Sequence, residues 1–524
     1  MSLYKDQDVK LLKDNIDDIL EDLKNRQLRL VEPYEQELRE VTNILLTYLR
    51  ENKRKCYGGF AINMLVTQKD KNAAIYKDND FPDIDFYSPE PLQDLYRICN
   101  LLYDKGFKYI VGKEALHRET YSIFVNQHLY CDISYVPWNI YNKIPFKEID
   151  GLYITGPNFI AIDYLRMLTD PLFSIWRIEK AFARFALLQK YYPLPHTENP
   201  IKLPKPKNPS VLETVNNFLI DRETTLTVGL YAFNYFLMNS GLLESKDKAA
   251  KKFSLLDYSY FEIISTNFRE DTLALIELLK KEHKEKITVT EYYPFFQFFG
   301  HRAFIYADDV LVAIVYHYNK RCTPYLVEPA YKFTGGKATK LKGNIVIGTF
   351  SVVLMYALVT VIKARVDNDE TRKQIYHDVV SQLIEMRNYY LNKNKKTIFD
   401  KTLFQDFVLE CKGEMLDPKR EQQLLYLERK KKNKYAFRYE PTPEKIIKEP
   451  DVTYRFANSS GNIVNNERNL KLTEKEQVEE LEVEADTADK IVLDSRAAKN
   501  KYAKEEEDEQ VQQEIDELLA ERNE

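Results

Sequence analysis

Two aspartates within one short apolar stretch place the strongest constraint on how this chain of 524 residues can fold. Asp83 and Asp85 lie two positions apart in the sequence PDIDFY, on either side of Ile84. Because side chains alternate along a strand, the pattern predicts that both carboxylates share one face while Ile84 and Phe86 face a core. Neighbouring carboxylates repel each other unless cations lie between them, so the pattern predicts a site for Mg²⁺ or Mn²⁺. Asp-x-Asp also occurs at 6–8, 78–80 and 367–369, where the apolar strand pattern is absent.

Two further features flank the aspartate pair and extend the predicted site. Gly58 and Gly59 open an apolar helical stretch, CYGGFAINMLV, where backbone N–H groups and the helix N-terminus favour a bound phosphate. Asp132 is an isolated acid in the strand pattern HLYCDISYV, which makes it the candidate for a third carboxylate on a neighbouring strand. Three acids on two adjacent strands are able to hold two metal ions for in-line phosphoryl transfer.

The apolar pattern divides the chain into five regions. Residues 1–50 are predicted to be helical, 51–195 to form a sheet followed by helices, and 196–285 to be a proline-rich linker followed by helices. Residues 286–460 contain a second aromatic-rich sheet pattern, and 461–524 form an acidic tail that is predicted to be disordered. The order predicts an α+β fold with two domains. The sequence GTFSVVLM, which begins at residue 348, is weakly similar to GGFAINML, which begins at residue 58. This similarity leaves open whether the second domain is a degenerate duplicate of the first.

Basic residues in two regions are candidates for phosphate contacts. One face of the helix predicted after the first sheet carries three basic residues, Arg177, Lys180 and Arg184. This face would contact a triphosphate, an RNA backbone or only solvent. The segment 320–342 holds six basic residues, one acid and a Gly-Gly pair, which predicts a mobile phosphate-binding loop. The candidates in this segment are Lys332, Lys337 and Lys340.

Charge and cysteine content limit the class of protein. Residues 461–524 carry 9 basic and 20 acidic residues, a net charge of −11, whereas the remaining chain carries +6. Five cysteines without a CxxC pair exclude a zinc ribbon and a dense disulfide framework, and they favour a reducing compartment.

One uncharged stretch of 18 residues, 345–362, meets the lower length limit of a membrane-spanning helix. It lies mid-chain and has basic residues at both flanks, which gives no preferred orientation in a membrane. We therefore predict a buried strand, turn and helix.

The glycine pair that opens a helix, the DxD strand and the later lone aspartate together resemble the DNA polymerase β-like nucleotidyltransferases. The sequences YGGFAIN, DIDFYS and YCDISYVP, together with the length and the aromatic-rich second half, are most similar to viral poly(A) polymerase catalytic subunits of poxviruses and mimivirus-type giant viruses. The motifs that carry the resemblance span roughly 54–137, and Gly59 stands where the family has a small serine.

The resemblance implies a template-independent enzyme that adds AMP from ATP to the 3′ ends of mRNA by two-metal transfer and releases pyrophosphate. It makes 51–195 the catalytic domain and 286–460 an RNA-binding or dimerisation domain. It also implies a homodimer without membrane association, located in the host cytoplasm or a virus factory and in some cases packaged in the virion.

The resemblance also assigns roles to single residues. Two Mg²⁺ or Mn²⁺ ions would be held by the catalytic residues Asp83, Asp85 and Asp132. ATP would be bound by Gly58, Gly59, Arg177 and Lys180. RNA would be bound by Arg184, Lys332, Lys337 and Lys340.

Three other functions are compatible with the residues. A uridylyl or small-molecule nucleotidyltransferase would carry the same motifs, because base selection depends on the shape of the pocket. A catalytically inactive RNA-binding scaffold is disfavoured by the complete carboxylate set. A membrane-associated assembly protein rests on the uncharged stretch alone.

Overall fold

The computed structural model describes residues 5–441 except for gaps at 17, 21–22, 24–34, 78–79, 118, 170–173, 175–176, 415–417 and 432–436. The predicted acidic tail, 461–524, lies outside the described residues. The described helices are α1 (Asp6–Asp14), α2 (Glu35–Glu51), α3 (Gly58–Thr67), α4 (Pro91–Asp104), α5 (Trp138–Tyr141), α6 (Pro157–Leu168), α7 (Ile178–Tyr191), α8 (Pro209–Leu219), α9 (Gly229–Ser240), α10 (Phe268–Glu282), α11 (Phe350–Asp367), α12 (Glu370–Asn394) and α13 (Pro418–Lys431).

Fifteen strands are described, and they form two mixed sheets. The first sheet contains β1 (Lys55–Tyr57), β2 (Ile84–Ser88), β3 (Val111–Glu114), β4 (Thr120–Val125), β5 (His128–Tyr135), β6 (Phe146–Ile149) and β7 (Leu152–Thr155). The second sheet contains β8 (Thr225–Val228), β9 (Phe261–Ser265), β10 (Ile287–Tyr292), β11 (Arg302–Ala307), β12 (Val310–His317), β13 (Thr323–Thr334), β14 (Lys337–Gly348) and β15 (Cys411–Lys412).

The two sheets repeat one topology. The first has the order β3-β4-β5-β2-β1-β7-β6, and the second has the order β10-β11-β12-β9-β8-β14-β13, with β15 added at its edge. The parallel pairs β2/β5 and β1/β7 of the first sheet correspond to β9/β12 and β8/β14 of the second. The predicted α+β class is confirmed, and the second half has the topology of a duplicate.

The structure shows that the counterpart of GGFAINML is a different segment from the one predicted. GLYAFNYF in α9 follows β8 as GGFAINML in α3 follows β1, so α9 is the counterpart of α3. The stretch GTFSVVLM instead belongs to the end of β14 and the start of α11, which correspond to β7 and α6. A strand that leads into an apolar helix occurs at both places, and sequence similarity alone did not separate them.

Two predicted regions differ from the structure. Residues 196–285, predicted as a linker followed by helices, contain the strands β8 and β9, which are only four and five residues long and entirely buried. Such short apolar runs lack the alternation that distinguishes a strand from a helix. Residues 320–342, predicted as a mobile loop, lie mostly in the β13/β14 hairpin, where Gly335 and Gly336 form a tight turn with φ of +59° and +70°.

The uncharged stretch 345–362 is a buried strand, turn and helix, as predicted. It comprises the end of β14 and most of α11, in which apolar residues are buried around the whole circumference. In the part of the chain that the structure describes, no helix is long and apolar enough to cross a membrane.

The halves pack together through aromatic side chains. Phe298 of the second half lies 5.5 Å from Phe159 at the start of α6, and Phe296 lies 6.4 Å from Tyr87 on β2, measured between ring centroids. The buried apolar residues of both halves therefore form one continuous cluster.

Residues near the C-terminal end of the described chain return to the first sheet. Arg429 on α13 pairs with both carboxylate oxygens of Glu114 at 2.6 and 3.1 Å, and Arg438 forms a β-bridge with Lys113. The contacts of Arg429 and Arg438 cover part of β3, which would otherwise be an open sheet edge. Cys322 and Cys411, expected to be reduced, are joined in a disulfide that connects β15 to the start of β13.

Candidate active site

The turn between β1 and α3 places a glycine against a carboxylate. Gly58 is the first residue of α3 and has a φ of +70°, a conformation that L-residues with side chains rarely adopt. A Cβ atom at Gly58 would lie 2.0 Å from Oδ2 of Asp85. The chain therefore needs glycine at this position for the backbone turn and for close approach to the carboxylate.

The three predicted aspartates lie near one another on, and just before, two central strands of the first sheet. Asp85 and Asp132 are register partners on the neighbouring parallel strands β2 and β5, so their Cα atoms lie side by side. Asp83 precedes the first residue of β2 and is exposed, whereas Asp85 and Asp132 are half-buried. The hydroxyl of Ser122, which is the partner of Asp132 on β4, donates a hydrogen bond of 2.5 Å to Oδ1 of Asp132.

The carboxylates are close enough to disturb each other's ionisation. Burial, and then repulsion by Asp83 and Asp132, raise the pKa of Asp85 well above its ordinary range. Burial also raises the pKa of Asp132, against the opposing effect of the Ser122 hydrogen bond. Arg177 and Arg184 lower the pKa of Asp85, so both guanidinium groups lie near the carboxylates.

The donor set suits a hard divalent cation, although the side chains are not arranged as a ligand cage. Among the described residues, no three His, Cys, Asp or Glu side chains converge in a way that would hold one ion. The carboxylate oxygens are nevertheless the ligands that Mg²⁺ and Mn²⁺ prefer. Burial, and then repulsion by the other two carboxylates, raise the pKa of Asp85, and a bound cation would relieve that repulsion.

We expect the Asp85→Asn variant to be more stable than the wild type in EDTA near neutral pH. Because the folded state raises the pKa of Asp85, ionisation of this carboxyl opposes folding. The penalty grows as the pH rises above the unfolded-state pKa of about 3.9, and each pKa unit corresponds to about 1.4 kcal/mol. We expect a rise of about 2–4 °C in the unfolding temperature per kcal/mol.

Thermal unfolding at pH 4 to 8 measures this effect, and the difference between variant and wild type should shrink toward pH 4. Asp150→Asn, at an exposed turn of the same domain, is the matched control. Equal unfolding temperatures for Asp85→Asn and wild type across the range would show that Asp85 is not a destabilising charge.

The second glycine makes room for an arginine. A Cβ atom at Gly59 would lie 2.4 Å from the Tyr76 hydroxyl and 2.6 Å from Nη1 of Arg184. Arg184 in α7 donates a hydrogen bond of 2.8 Å from Nη2 to the Tyr76 hydroxyl. The structure therefore brings Arg184, predicted to contact RNA, to the start of α3 and next to Asp85.

The other two basic residues of this helix region differ from each other in whether they interact with the carboxylates. Arg177 directly precedes α7, is exposed, and lies close enough to the carboxylates to lower the pKa values of Asp85 and Asp132. Lys180 is also exposed, but it forms no hydrogen bond or ion pair within the described part of the chain.

Several residues that support the site were not found from the sequence. Tyr57 stacks on Tyr87 with a ring distance of 4.1 Å, and its hydroxyl lies 2.7 Å from that of Ser134. The side-chain oxygen of Asn63 accepts hydrogen bonds from the backbone N–H groups of Ile75 and Tyr76 and so positions Tyr76. The sequence does carry a signal for the role of Asn63, because asparagine is disfavoured in the middle of an apolar helix unless its side chain forms hydrogen bonds with another part of the chain.

The three lysines predicted in the second half lie on one hairpin but do not form one row. Lys332 on β13 forms an ion pair of 2.8 Å with Glu213. Lys337 and Lys340 are exposed and lie three positions apart on β14, so their side chains project from opposite faces.

Comparison with known proteins gives matches along most of the chain. The family described as "Poly(A) polymerase catalytic subunit" matches residues 43–174, and a family for the C-terminal part of the mimivirus catalytic subunit matches residues 187–474. A protein of Acanthamoeba polyphaga mimivirus that bears the name of a poly(A) polymerase catalytic subunit is 34% identical over 485 residues, which span 88% of this chain and 82% of that protein.

Two further relatives are similar over different lengths. A protein of African swine fever virus (strain Badajoz 1971 Vero-adapted) that bears the same name is 30% identical over 167 residues, or 30% of this chain and 34% of its own. The crystal structure of the Megavirus polyadenylate synthase superposes with a TM-score of 0.72 at 32% sequence identity, covering 84% of this chain and 86% of that one.

Proposed function

The chain belongs to the family of viral poly(A) polymerase catalytic subunits and is a nucleotidyltransferase, and from this premise we propose that it adds AMP from ATP to RNA 3′ ends and releases pyrophosphate. The observation that carries the proposal is the register of β2 and β5, which sets Asp85 beside Asp132. The close approach of Gly58 to Asp85 supports the same location.

The three aspartates would hold two Mg²⁺ or Mn²⁺ ions. Held by these carboxylates, such ions would supply activation of the attacking 3′ hydroxyl and neutralisation of charge on the triphosphate. Asp85 and Asp132 orient the reacting groups from adjacent rigid strands, and Ser122 fixes the orientation of the Asp132 carboxylate through its hydrogen bond. Positioning from strands rather than from loops limits the movement of the reacting atoms.

Arg184 is the best-placed cation for the triphosphate of ATP. Its guanidinium lies at the N-terminal turn of α3, where the backbone N–H groups of a helix also favour an anion. We therefore reassign Arg184 from RNA binding to ATP binding, together with Arg177. Lys180 remains a weaker candidate because it is exposed and lies outside the hydrogen-bonded group around Tyr76.

Incubation of the purified chain with labelled RNA and each NTP in turn tests the function. We expect extension with ATP and Mg²⁺ or Mn²⁺, and no extension in EDTA. Preferred use of UTP would instead favour a uridylyltransferase, and binding of RNA without any extension would favour an inactive scaffold.

We expect the double variant Lys337→Gln, Lys340→Gln to bind RNA with a weaker dependence on salt. Each phosphate contact to single-stranded nucleic acid contributes about 0.7 to the slope of log affinity against log salt. Because the two lysines project from opposite faces, RNA on one face loses one contact and a slope of about 0.7, and RNA that wraps the hairpin loses two contacts and about 1.4. Lys332→Gln is the matched control, because this lysine is already paired with Glu213. An unchanged slope in the double variant would exclude the hairpin from the RNA path.

We also propose that two copies form a homodimer that encloses the RNA. Exposed apolar side chains in the second half, including Phe399 with 72% and Leu409 with 63% exposure, offer surface for self-association. Light scattering should give about twice the chain mass of 61.9 kDa. A mass of one chain at micromolar concentration would contradict the dimer.

A further inference from the structure

The second sheet retains one carboxylate of the active site and has lost the others. Glu262 on β9 is the register partner of Val228, as Asp85 on β2 is the partner of Tyr57. A Cβ atom at Gly229 would lie 2.0 Å from Oε2 of Glu262, which repeats the relation of Gly58 to Asp85. Tyr260 and Ile314 occupy the positions that correspond to Asp83 and Asp132.

A cavity of about 240 Å³ lies on this part of the second sheet, and cations dominate its lining. Three of its residues are basic: Arg302 on β11, Lys363 on α11 and Arg372 on α12. Asp367 is the one acidic residue in the lining, and 42% of its side chain is exposed. The other lining residues are Tyr292, Phe299, Phe304, Tyr316 and Thr360.

The two arginines lack direct ion pairs with neighbouring acids, although the charge of Asp367 acts on Arg302 and that of Glu262 acts on Arg372. Arg302 is only 2% exposed, and its Nε atom has no hydrogen-bond partner, while its Nη2 atom donates to the carbonyl oxygen of Tyr293 at 3.1 Å. The Nε atom of Arg372 is likewise buried without a partner. Neither arginine forms an ion pair with any described residue, whereas Lys363 pairs with Asp367.

The nearby Glu262 does not supply the missing anion by direct contact. Its carboxylate accepts hydrogen bonds from the hydroxyls of Tyr316, at 3.0 Å, and Tyr376. Burial lowers the pKa of Arg302 to about 10, and burial together with repulsion from Arg302 lowers the pKa of Lys363 to about 8. The cavity is therefore short of negative charge, and a bound anion would relieve the repulsion.

We propose that this cavity is a binding site for a phosphate-class anion such as pyrophosphate, either free or as the terminal phosphates of a nucleotide. Arginine presents a rigid fork of N–H donors that matches phosphate oxygens, and Lys363 adds a third charge. The volume lies below the roughly 300–1,000 Å³ of pockets for drug-sized ligands, which favours the phosphate groups over a whole nucleotide. The site is separate from the three aspartates and does not depend on the proposed polymerase activity.

Equilibrium dialysis of the full chain against labelled inorganic pyrophosphate in EDTA tests the site. Without metal the three aspartates weaken anion binding at the active site, and the comparison with Lys363→Gln assigns the remaining binding to the basic cavity. We expect saturable binding of one pyrophosphate per chain, weakened at least tenfold in Lys363→Gln. Lys373→Gln, on the following helix α12 and paired with Glu370 outside the cavity, should bind like wild type.

Competition identifies the source of the phosphate groups. If ATP displaces pyrophosphate at about the same concentration as unlabelled pyrophosphate does, the site recognises the phosphates alone. If ATP competes at concentrations at least tenfold lower, the ligand is a nucleotide. Both outcomes support the site. Absence of saturable binding, or equal affinity in folded Lys363→Gln and wild type, would overturn it. Should Lys363→Gln fail to fold, Arg372→Gln provides the same test, because its side chain is only half-buried.

Discussion

Replacement of Asp85 or Asp132 by asparagine is expected to lower the rate of AMP addition by about 10³-fold or more, a loss typical of groups that act together in the transition state. Asparagine keeps the size of the side chain and removes the charge that would bind a cation. Asp83→Asn should have a similar or smaller effect, because Asp83 is exposed and lies just outside β2. Primer extension under single-turnover conditions measures the loss.

The matched control for these variants is Asp150→Asn, which makes the same change at an exposed turn. The control should extend RNA at the wild-type rate. A folded Asp132→Asn variant with nearly full activity would remove Asp132 from the site, and full activity in all three variants would refute the proposed chemistry.

Gly58→Ala is expected to abolish most activity through one methyl group. Its Cβ atom would lie 2.0 Å from Oδ2 of Asp85, so either the carboxylate or the β1–α3 turn must move. A displacement of about 1 Å of a reacting group is able to cost about 10²-fold in rate. The positive φ adds about 1–2 kcal/mol of strain to the free energy of folding. Primer extension and urea unfolding measure the two effects separately.

Variants at two other glycines distinguish the effect of backbone strain from that of a steric clash with a carboxylate. Gly106 has a φ of +88°, and no heavy atom lies within 4 Å of the position that a Cβ atom would take. Gly106→Ala therefore introduces backbone strain without a steric clash. Gly229→Ala repeats the collision, with Glu262 in the second sheet, and should destabilise the fold without removing catalytic carboxylates. Activity of Gly58→Ala equal to that of Gly229→Ala would show that the Gly58–Asp85 contact has no catalytic importance.

The sequence determined the family and predicted the location of the site. Spacing within an apolar strand pattern paired Asp83 with Asp85, and an isolated acid in a second strand pattern made Asp132 the third candidate. The structure brings the three aspartates close together because strand alternation and a glycine turn are local rules, which hold whatever the rest of the chain does. Their role in the reaction stays a prediction. The same local rule identified 345–362 as a strand and helix rather than a membrane span.

Tertiary structure alone revealed that the second half repeats the first. The counterpart of DIDFYS is YFEIIS in 260–265, where one carboxylate survives and the glycine before it is 33 residues away in the chain at Gly229. Topology persists when side chains change, because the backbone hydrogen bonds of a sheet do not depend on side-chain identity.

The role of the basic residues was likewise decided by packing. The spacing of Arg177, Lys180 and Arg184 predicted one basic face, but only contacts across the chain set Arg184 against Gly59 and Tyr76. Arg302, Lys363 and Arg372 come from three separate elements and carry no sequence signal as a group. Local periodicity fixes which residues share a face of one element, whereas the charge balance of a cavity depends on which elements the fold brings together.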